Sequence, residues 1–296
     1  MLAVLSRTVA LRSGTRALAT ISSAPEPFLS VTHDVRQDGS RTGVVQVAFN
    51  RPKTLNALTE GMGNEFTATM AELAKDASIR AMILTGEGRA FSAGGDLDFL
   101  TARMEASNIN NTETMRAFYA RFLAVRSVPF PTIAKINGPA VGAGFCLAMA
   151  CDMRLAAHDA KVGFNFVKLG ITPGMGAQTT VEMLTSPQVA ARLLLTGDLI
   201  SGTEAKDLGL VLEAHAKGEA LDTAALTLAR KIAAASPVAV RMTTKSLRLR
   251  VDEALQRGLA READTQALCY SSPDFAEGMV AIKERRDPVF PLSASN

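Results

Sequence analysis

Cysteine is scarce in this chain. Cys146, Cys151 and Cys269 are odd in number and none belongs to a Cys-x-x-Cys pair, which argues against a disulfide framework or a zinc site and fits a reducing compartment. Acidic residues are missing from the first 25 positions, where Arg7, Arg12 and Arg16 alternate with Leu2, Leu5, Leu11 and Leu18 and are followed by Ser and Thr. That is the composition of a mitochondrial transit peptide; a secretory signal is disfavoured because the arginines interrupt any apolar stretch. The same three arginines account for the whole formal charge of +3. The remainder is neutral, so no basic footprint for nucleic acid is left.

Long uninterrupted apolar runs are absent as well. The nearest approach, residues 132–151, contains Lys135, Asn137, Pro139 and three glycines, and reads as a buried strand, loop and helix rather than a membrane span. With 47% hydrophobic and 21% charged residues, the chain can nevertheless build a sizeable core. Its 296 residues suit one α/β domain with an appended helical segment.

What is present alternates in period. Residues 28–34 and 44–49 are β-rich and flank the turn-prone Gln37-Asp38-Gly39-Ser40, which predicts a hairpin. Residues 59–76 carry Met62, Phe66, Met70 and Leu73 at helical spacing. Strands follow at 81–84, 132–136 and 153–156, with helices at 97–125 and 144–150 between them, the alternation of parallel crossovers and hence of an α/β core. Beyond about residue 188 the pattern turns helical, over 189–196, 202–208, 219–235, 238–250, 252–270 and 274–286, punctuated by Gly209, Gly218 and Pro237. The division expected is a leader over residues 1–25, a core over 28–200 and a helical segment over 201–296 that packs against neighbouring copies.

Two glycine-rich turns carry the chemical signal: Phe91-Ser92-Ala93-Gly94-Gly95-Asp96 and Gly138-Pro139-Ala140-Val141-Gly142-Ala143-Gly144. Each follows a strand and opens a helix, so small residues let backbone N–H groups approach a ligand while the helix N-terminus adds positive dipole character. The second turn lacks the Gly-x-Gly-x-x-Gly spacing and the acidic ribose partner of a dinucleotide fold, and no Gly-Lys-Ser/Thr of a phosphate loop follows it. Tight strand-to-helix packing is the competing explanation for either turn alone.

Four segments in register resemble the enoyl-CoA hydratase/isomerase, or crotonase, superfamily: residues 50–58 (Asn-Arg-Pro-Lys-Thr-Leu-Asn-Ala-Leu), 90–96, 142–152 and 169–176 (Leu-Gly-Ile-Thr-Pro-Gly-Met-Gly). The resemblance spans roughly residues 44–290. It implies a spiral of ββα units with a helical C-terminal trimerisation segment, assembled as a homotrimer or homohexamer and acting on acyl-CoA thioesters; the arginine-bearing leader would direct it to the mitochondrial matrix. On matching positions the N–H groups of Gly95 and Ala143 would form an oxyanion hole. Lys53, Leu55 and Ala57, with the backbone of Ala93 and Gly94, would line the coenzyme A path, and Asp96 would cap the next helix. No metal and no separate cofactor is implied, since coenzyme A enters with the substrate.

The sequence departs from that pattern where water would be activated. The two hydratase glutamates align with Cys146 and Phe166, and between Met115 and Val181 the acidic residues are Asp152 and Asp159. No general base suited to neutral proton transfer is visible. Cys146 is a candidate nucleophile or acid/base on an Ala/Met/Leu helix, where a small buried core residue is the competing reading. Phe164 and Phe166 alternate about Asn165, so one ring is expected to line an acyl pocket. Asp98, Glu105 and Glu113 are candidate carboxylates on the helix after the first turn. The expected activity is enoyl-CoA hydratase/isomerase chemistry, lyase or isomerase, in fatty-acid or branched-chain acyl-CoA catabolism. The alternatives are a silent acyl-CoA-binding scaffold and a decarboxylase or thioesterase on the same fold.

Overall fold

In the computed structural model, which describes residues 26–291, the β-rich N-terminal stretch forms the expected hairpin. Strands β1 (Leu29–Val35) and β2 (Arg41–Phe49) pair antiparallel across it. The leader expected over residues 1–25 lies outside the described residues. β2 then pairs in parallel with β3 (Ala81–Gly86), β3 with β4 (Thr132–Ile136), β4 with β6 (Met153–Ala157) and β6 with β9 (Glu213–His215). Every residue of β3 and β4 is buried, the state of parallel strands covered on both faces. Helix α8 (Glu219–Ala233) lies across β2, β3, β4 and β6, and α4 (Ala143–Ala150) packs on β4 and β6.

A second, shorter layer places the two glycine turns. β5 (Ala140–Val141) pairs in parallel with β7 (Lys161–Gly163), and β7 pairs antiparallel with β8 (Leu199–Ser201). Single parallel bridges extend this layer backwards, Ser92 to Ala140 and Leu58 to Gly95. Each pass of the chain thus lays one long strand in the main sheet and one short rung in the second layer. Adjacent rungs bring residues 92–95 beside residues 140–143.

The helices follow local chemistry. α1 (Glu60–Lys75) is capped by the Thr59 hydroxyl, which accepts from the Met62 N–H, and buries Met62, Phe66, Met70 and Leu73 as its spacing predicts. The single helix expected over residues 97–125 is instead two, α2 (Leu97–Glu105) and α3 (Asn108–Leu123). Ser107 caps α3 by accepting from the Asn110 N–H, and the Asn111 amide donates back to the carbonyls of Arg103 and Ala106. Polar side chains that satisfy both helix ends outcompete a continuous helix.

The reverse occurs later. After α5 (Ala177–Leu184), α6 (Pro187–Thr196) and α7 (Gly202–Asp207), the two helices expected over 238–250 and 252–270 are one, α9 (Pro237–Cys269), 33 residues long. It spans about 50 Å. No breaker separates the two stretches, and its buried polar face of Thr244, Arg248, Glu262 and Gln266 is held along the molecule by distant partners. α3 and α5 pack on it, and α10 (Pro273–Glu284) follows.

Candidate active site

The parallel ladder decides where the backbone of Gly95 points. Leu58 donates its N–H to the Gly94 carbonyl and accepts from the Asp96 N–H, so Gly95 turns its own N–H and C=O to the other side. Ala143 is the first residue of α4, after the Gly142 cap at φ 54° and ψ −124°, and its N–H therefore precedes the intrahelical ladder. Gly94 sits between the two turns at φ +95°. A Cβ there would lie 2.6 Å from the Val141 carbonyl oxygen and 3.6 Å from the Ala143 nitrogen. Only glycine permits that approach of the first turn to the second.

Both turns open on a cavity of about 620 Å³. Its wall includes Lys53, Leu55, Ala57, Ala93, Gly94, Gly95, Asp96, Ala143 and Phe166, so the nine positions singled out for substrate contact share one space. Leu55 and Asn56 take left-handed conformations at φ 54° and 55°. They are held there because the Asn56 side chain accepts from the Arg51 N–H at 2.9 Å and donates to the carbonyls of Glu87 and Ala90. Asp96 caps α2, its Oδ1 accepting from the N–H groups of Asp98 and Phe99 at 3.0 and 3.2 Å. Of the two alternating aromatics, Phe166 lines the cavity while Phe164 is buried against Phe145, ring centroids 5.0 Å apart.

Cys146 is not part of the cavity wall. Its thiol donates to the Gly174 carbonyl at 3.4 Å within the core, and burial, with the charge of Glu262 next, pushes it well above the usual thiol range. A thiol held protonated is a poor nucleophile. Asp98 does line the cavity, at its exposed edge, whereas Glu105 and Glu113 do not. Asp152 is committed to Arg248 and Thr132, and His158 is exposed beside Thr203. Arg286, near the C-terminus, is paired with Glu277 and Glu284.

Several groups here were not foreseen from sequence. Glu262 of α9 is 2% exposed, and its carboxylate accepts from the Gly176 N–H at 2.6 Å and the Gln178 N–H at 3.3 Å. Gly176 supplies no side-chain cap of its own, so the glutamate caps α5 from another helix. Burial raises its pKa, against which the two amides pull downward. Tyr119, Gln266 and Tyr270 are polar side chains of the cavity wall, from α3 and the end of α9. The only sequence sign of Glu262 and Gln266 is two polar residues four apart on one helix, which puts them on one face.

A second cavity of about 600 Å³ lies between β6, α8 and α9, away from both glycine turns. Among the described residues no helix is long and apolar enough to cross a membrane, and no cluster of three or more His, Cys, Asp or Glu is placed to hold a metal ion.

An α/β core in two strand layers, a helical C-terminal segment and a cavity between adjacent glycine turns define the crotonase class. The enoyl-CoA hydratase/isomerase family matches residues 39–292, and the chain belongs to that family. It is 35% identical over 247 residues to crotonyl-CoA hydratase of Syntrophomonas wolfei, covering 82% of this chain and 92% of that protein. It is 30% identical over 303 residues to mouse enoyl-CoA hydratase domain-containing protein 2, mitochondrial, covering 98% of this chain and 99% of that one. Among solved structures, an enoyl-CoA hydratase from Mycobacterium avium subsp. paratuberculosis superposes with a TM-score of 0.76 at 28% identity, covering 90% of this chain and all of that one.

Proposed function

We propose that this protein binds an acyl-CoA thioester in the cavity, with the thioester oxygen between the N–H groups of Gly95 and Ala143, and processes it through an enolate. The observation that supports the reading is that Gly95 and Ala143, on neighbouring rungs, line one cavity together with Lys53, Leu55, Ala57 and Phe166. Loss of a proton next to a thioester, or addition to its unsaturated β-carbon, places negative charge on that oxygen. Fixed backbone donors stabilise the charge without reorganising. Lys53, Leu55 and Ala57 serve the coenzyme A path, and the apolar inner wall takes the acyl group. Hydration or isomerisation is the reaction class, in mitochondrial fatty-acid or branched-chain acyl-CoA catabolism. The arginine-rich leader and the mitochondrial relative support that compartment. A homotrimer or homohexamer goes with the same reading.

One observation favours a second reading. Asp96 and Asp98 are the acids among the described residues of the cavity wall, and Asp96 is engaged in its helix cap. A decarboxylase needs no base for its main step. The C–C bond to the carboxylate breaks, CO₂ leaves, the electron pair becomes the enolate, and water returns the proton. A scaffold that binds thioesters without turning them over is the remaining alternative.

Purified protein offered 2-enoyl-, 3-enoyl- and malonyl-type CoA esters in D₂O separates these, with products read by mass. Turnover of an enoyl ester with deuterium entering at the α-carbon is the expected result. Loss of CO₂ from the malonyl-type ester alone selects the decarboxylase. Saturable binding with neither turnover nor α-exchange contradicts an enolate enzyme.

A further inference from the structure

The inner end of the cavity is apolar, walled by Met115, Phe118, Ile171 and Met175, except where Tyr119 and Gln266 meet. These two are 3% and 1% exposed, and they join across helices α3 and α9. The Tyr119 hydroxyl donates to Gln266 Oε1 at 2.7 Å, and Gln266 Nε2 donates to the Thr172 carbonyl at 2.8 Å. The second bond fixes which end of the amide faces the tyrosine. The phenol oxygen is seated on the backbone of Gly174, where a Cβ would lie 2.2 Å from it. Neither side chain can swing away without opening the packing of α3 on α9.

The hydrogen-bond inventory of this pair is incomplete in a specific way. A carboxamide has two N–H groups and a phenol oxygen has two lone pairs. The bonds above use one Nε2–H of Gln266 and the single hydrogen of Tyr119. One Gln266 N–H and acceptor capacity on the Tyr119 oxygen remain, the latter shared with the nearby Met175 N–H. The other phenol of the wall, Tyr270, is directed at the Met115 sulfur. A neutral hydroxyl matches what is left, accepting from the amide and donating to the phenol oxygen. A carboxylate does not, because the cations of the wall, Lys53 and Arg89, are exposed at the surface. Burial pushes the Tyr119 phenol well above its usual range, with Tyr270, Glu262 and Cys146 reinforcing it. It therefore works as a neutral hydrogen-bonding group rather than as a base.

We propose that Tyr119 and Gln266 are specificity-determining residues, selecting acyl groups that carry a neutral hydroxyl over plain alkyl groups of the same length. The inference rests on the acyl-CoA reading of the cavity. A site that hydrogen-bonds a hydroxyl discriminates strongly against the analogue lacking it, because its own buried polar groups then stay unpaired.

The test is calorimetric binding of butyryl-CoA, 3-hydroxybutyryl-CoA and 4-hydroxybutyryl-CoA to the full-length protein and to Tyr119→Phe, Gln266→Met and the double variant, each checked for folding by circular dichroism. The wild type is expected to bind one of the hydroxy esters roughly 3- to 10-fold more tightly than butyryl-CoA. Which of the two it prefers reports where along the acyl chain the pair acts. Each single variant reduces the preference, and the double variant brings it to about one. A purely structural role would weaken all three ligands together and leave their ratio unchanged. Equal wild-type affinity for the three esters, or a preference that survives in the double variant, overturns the proposal while leaving the acyl-CoA reading intact. Failure of every ester to bind overturns that reading and this inference with it.

Discussion

Replacing Ala143 with proline is expected to lower kcat/KM for a thioester substrate roughly 100- to 1,000-fold, the loss found when one preorganised oxyanion donor is removed. The melting temperature is expected to stay nearly unchanged. The helix tolerates the substitution because Ala143 is the first residue of α4. A proline at that position keeps helical φ, gives up an N–H that the helix does not use, and sets its ring Cδ where that hydrogen pointed. Gly142 before it has no Cβ to clash with the ring. Steady-state kinetics with circular dichroism melting check the pair of outcomes. A variant that is fully folded and fully active would mean that this amide does not meet developing charge.

The second large effect concerns stability rather than chemistry. Arg248→Ala is expected to cost about 3–5 kcal/mol, the penalty for breaking a buried ion pair by removing one partner. Arg248 is 6% exposed. Its guanidinium grips both carboxylate oxygens of Asp152, at 2.7 and 2.6 Å, and donates to the carbonyls of Arg126, Val128 and Phe130. Asp152 in turn accepts from the Thr132 N–H and hydroxyl at 2.7 and 2.9 Å. One side chain of α9 thus fastens the helix to the entry of β4. Urea denaturation at pH 7 measures the loss, and a change under about 1 kcal/mol would contradict a role in holding the helix.

The same pair gives stability a pH dependence with a definite sign. Burial opposes ionisation of Asp152, yet the hydrogen bonds and charge of Arg248, with Thr132, outweigh it and hold the carboxyl below the ordinary aspartate range. A depressed folded pKa means that the contribution is fully present above the unfolded value and is lost as pH falls through the folded one. The wild type should therefore lose this part of its stability only in strong acid. Arg248→Ala should already lack it at neutral pH.

Much of the core was legible because its signals are local. β4 falls at Thr132–Ile136, the residues its β-branched run predicts, and the buried stripe of α1 repeats at helical spacing. The glycine turns were readable because close approach of backbones leaves a compositional trace, as at Gly94. The extent of α9 was not readable. What anchors it is a set of partners far along the chain, Asp152 for Arg248 and the amides of residues 176 and 178 for Glu262. The polar pair of the acyl end was hidden for the same reason, since Tyr119 and Gln266 are 147 positions apart. Cys146 drew attention by standing where a glutamate stands in relatives, whereas its environment is that of a packed thiol.

A crystal structure with a slowly turning acyl-CoA thioester bound tests whether the two glycine-turn amides meet the thioester oxygen. The thioester carbonyl oxygen is expected about 2.7–3.1 Å from the backbone nitrogens of both Gly95 and Ala143, with the acyl chain directed toward Tyr119 and Gln266. A carbonyl that lies beyond hydrogen-bond reach of either nitrogen, or a thioester seated in the cavity between α8 and α9, would contradict it.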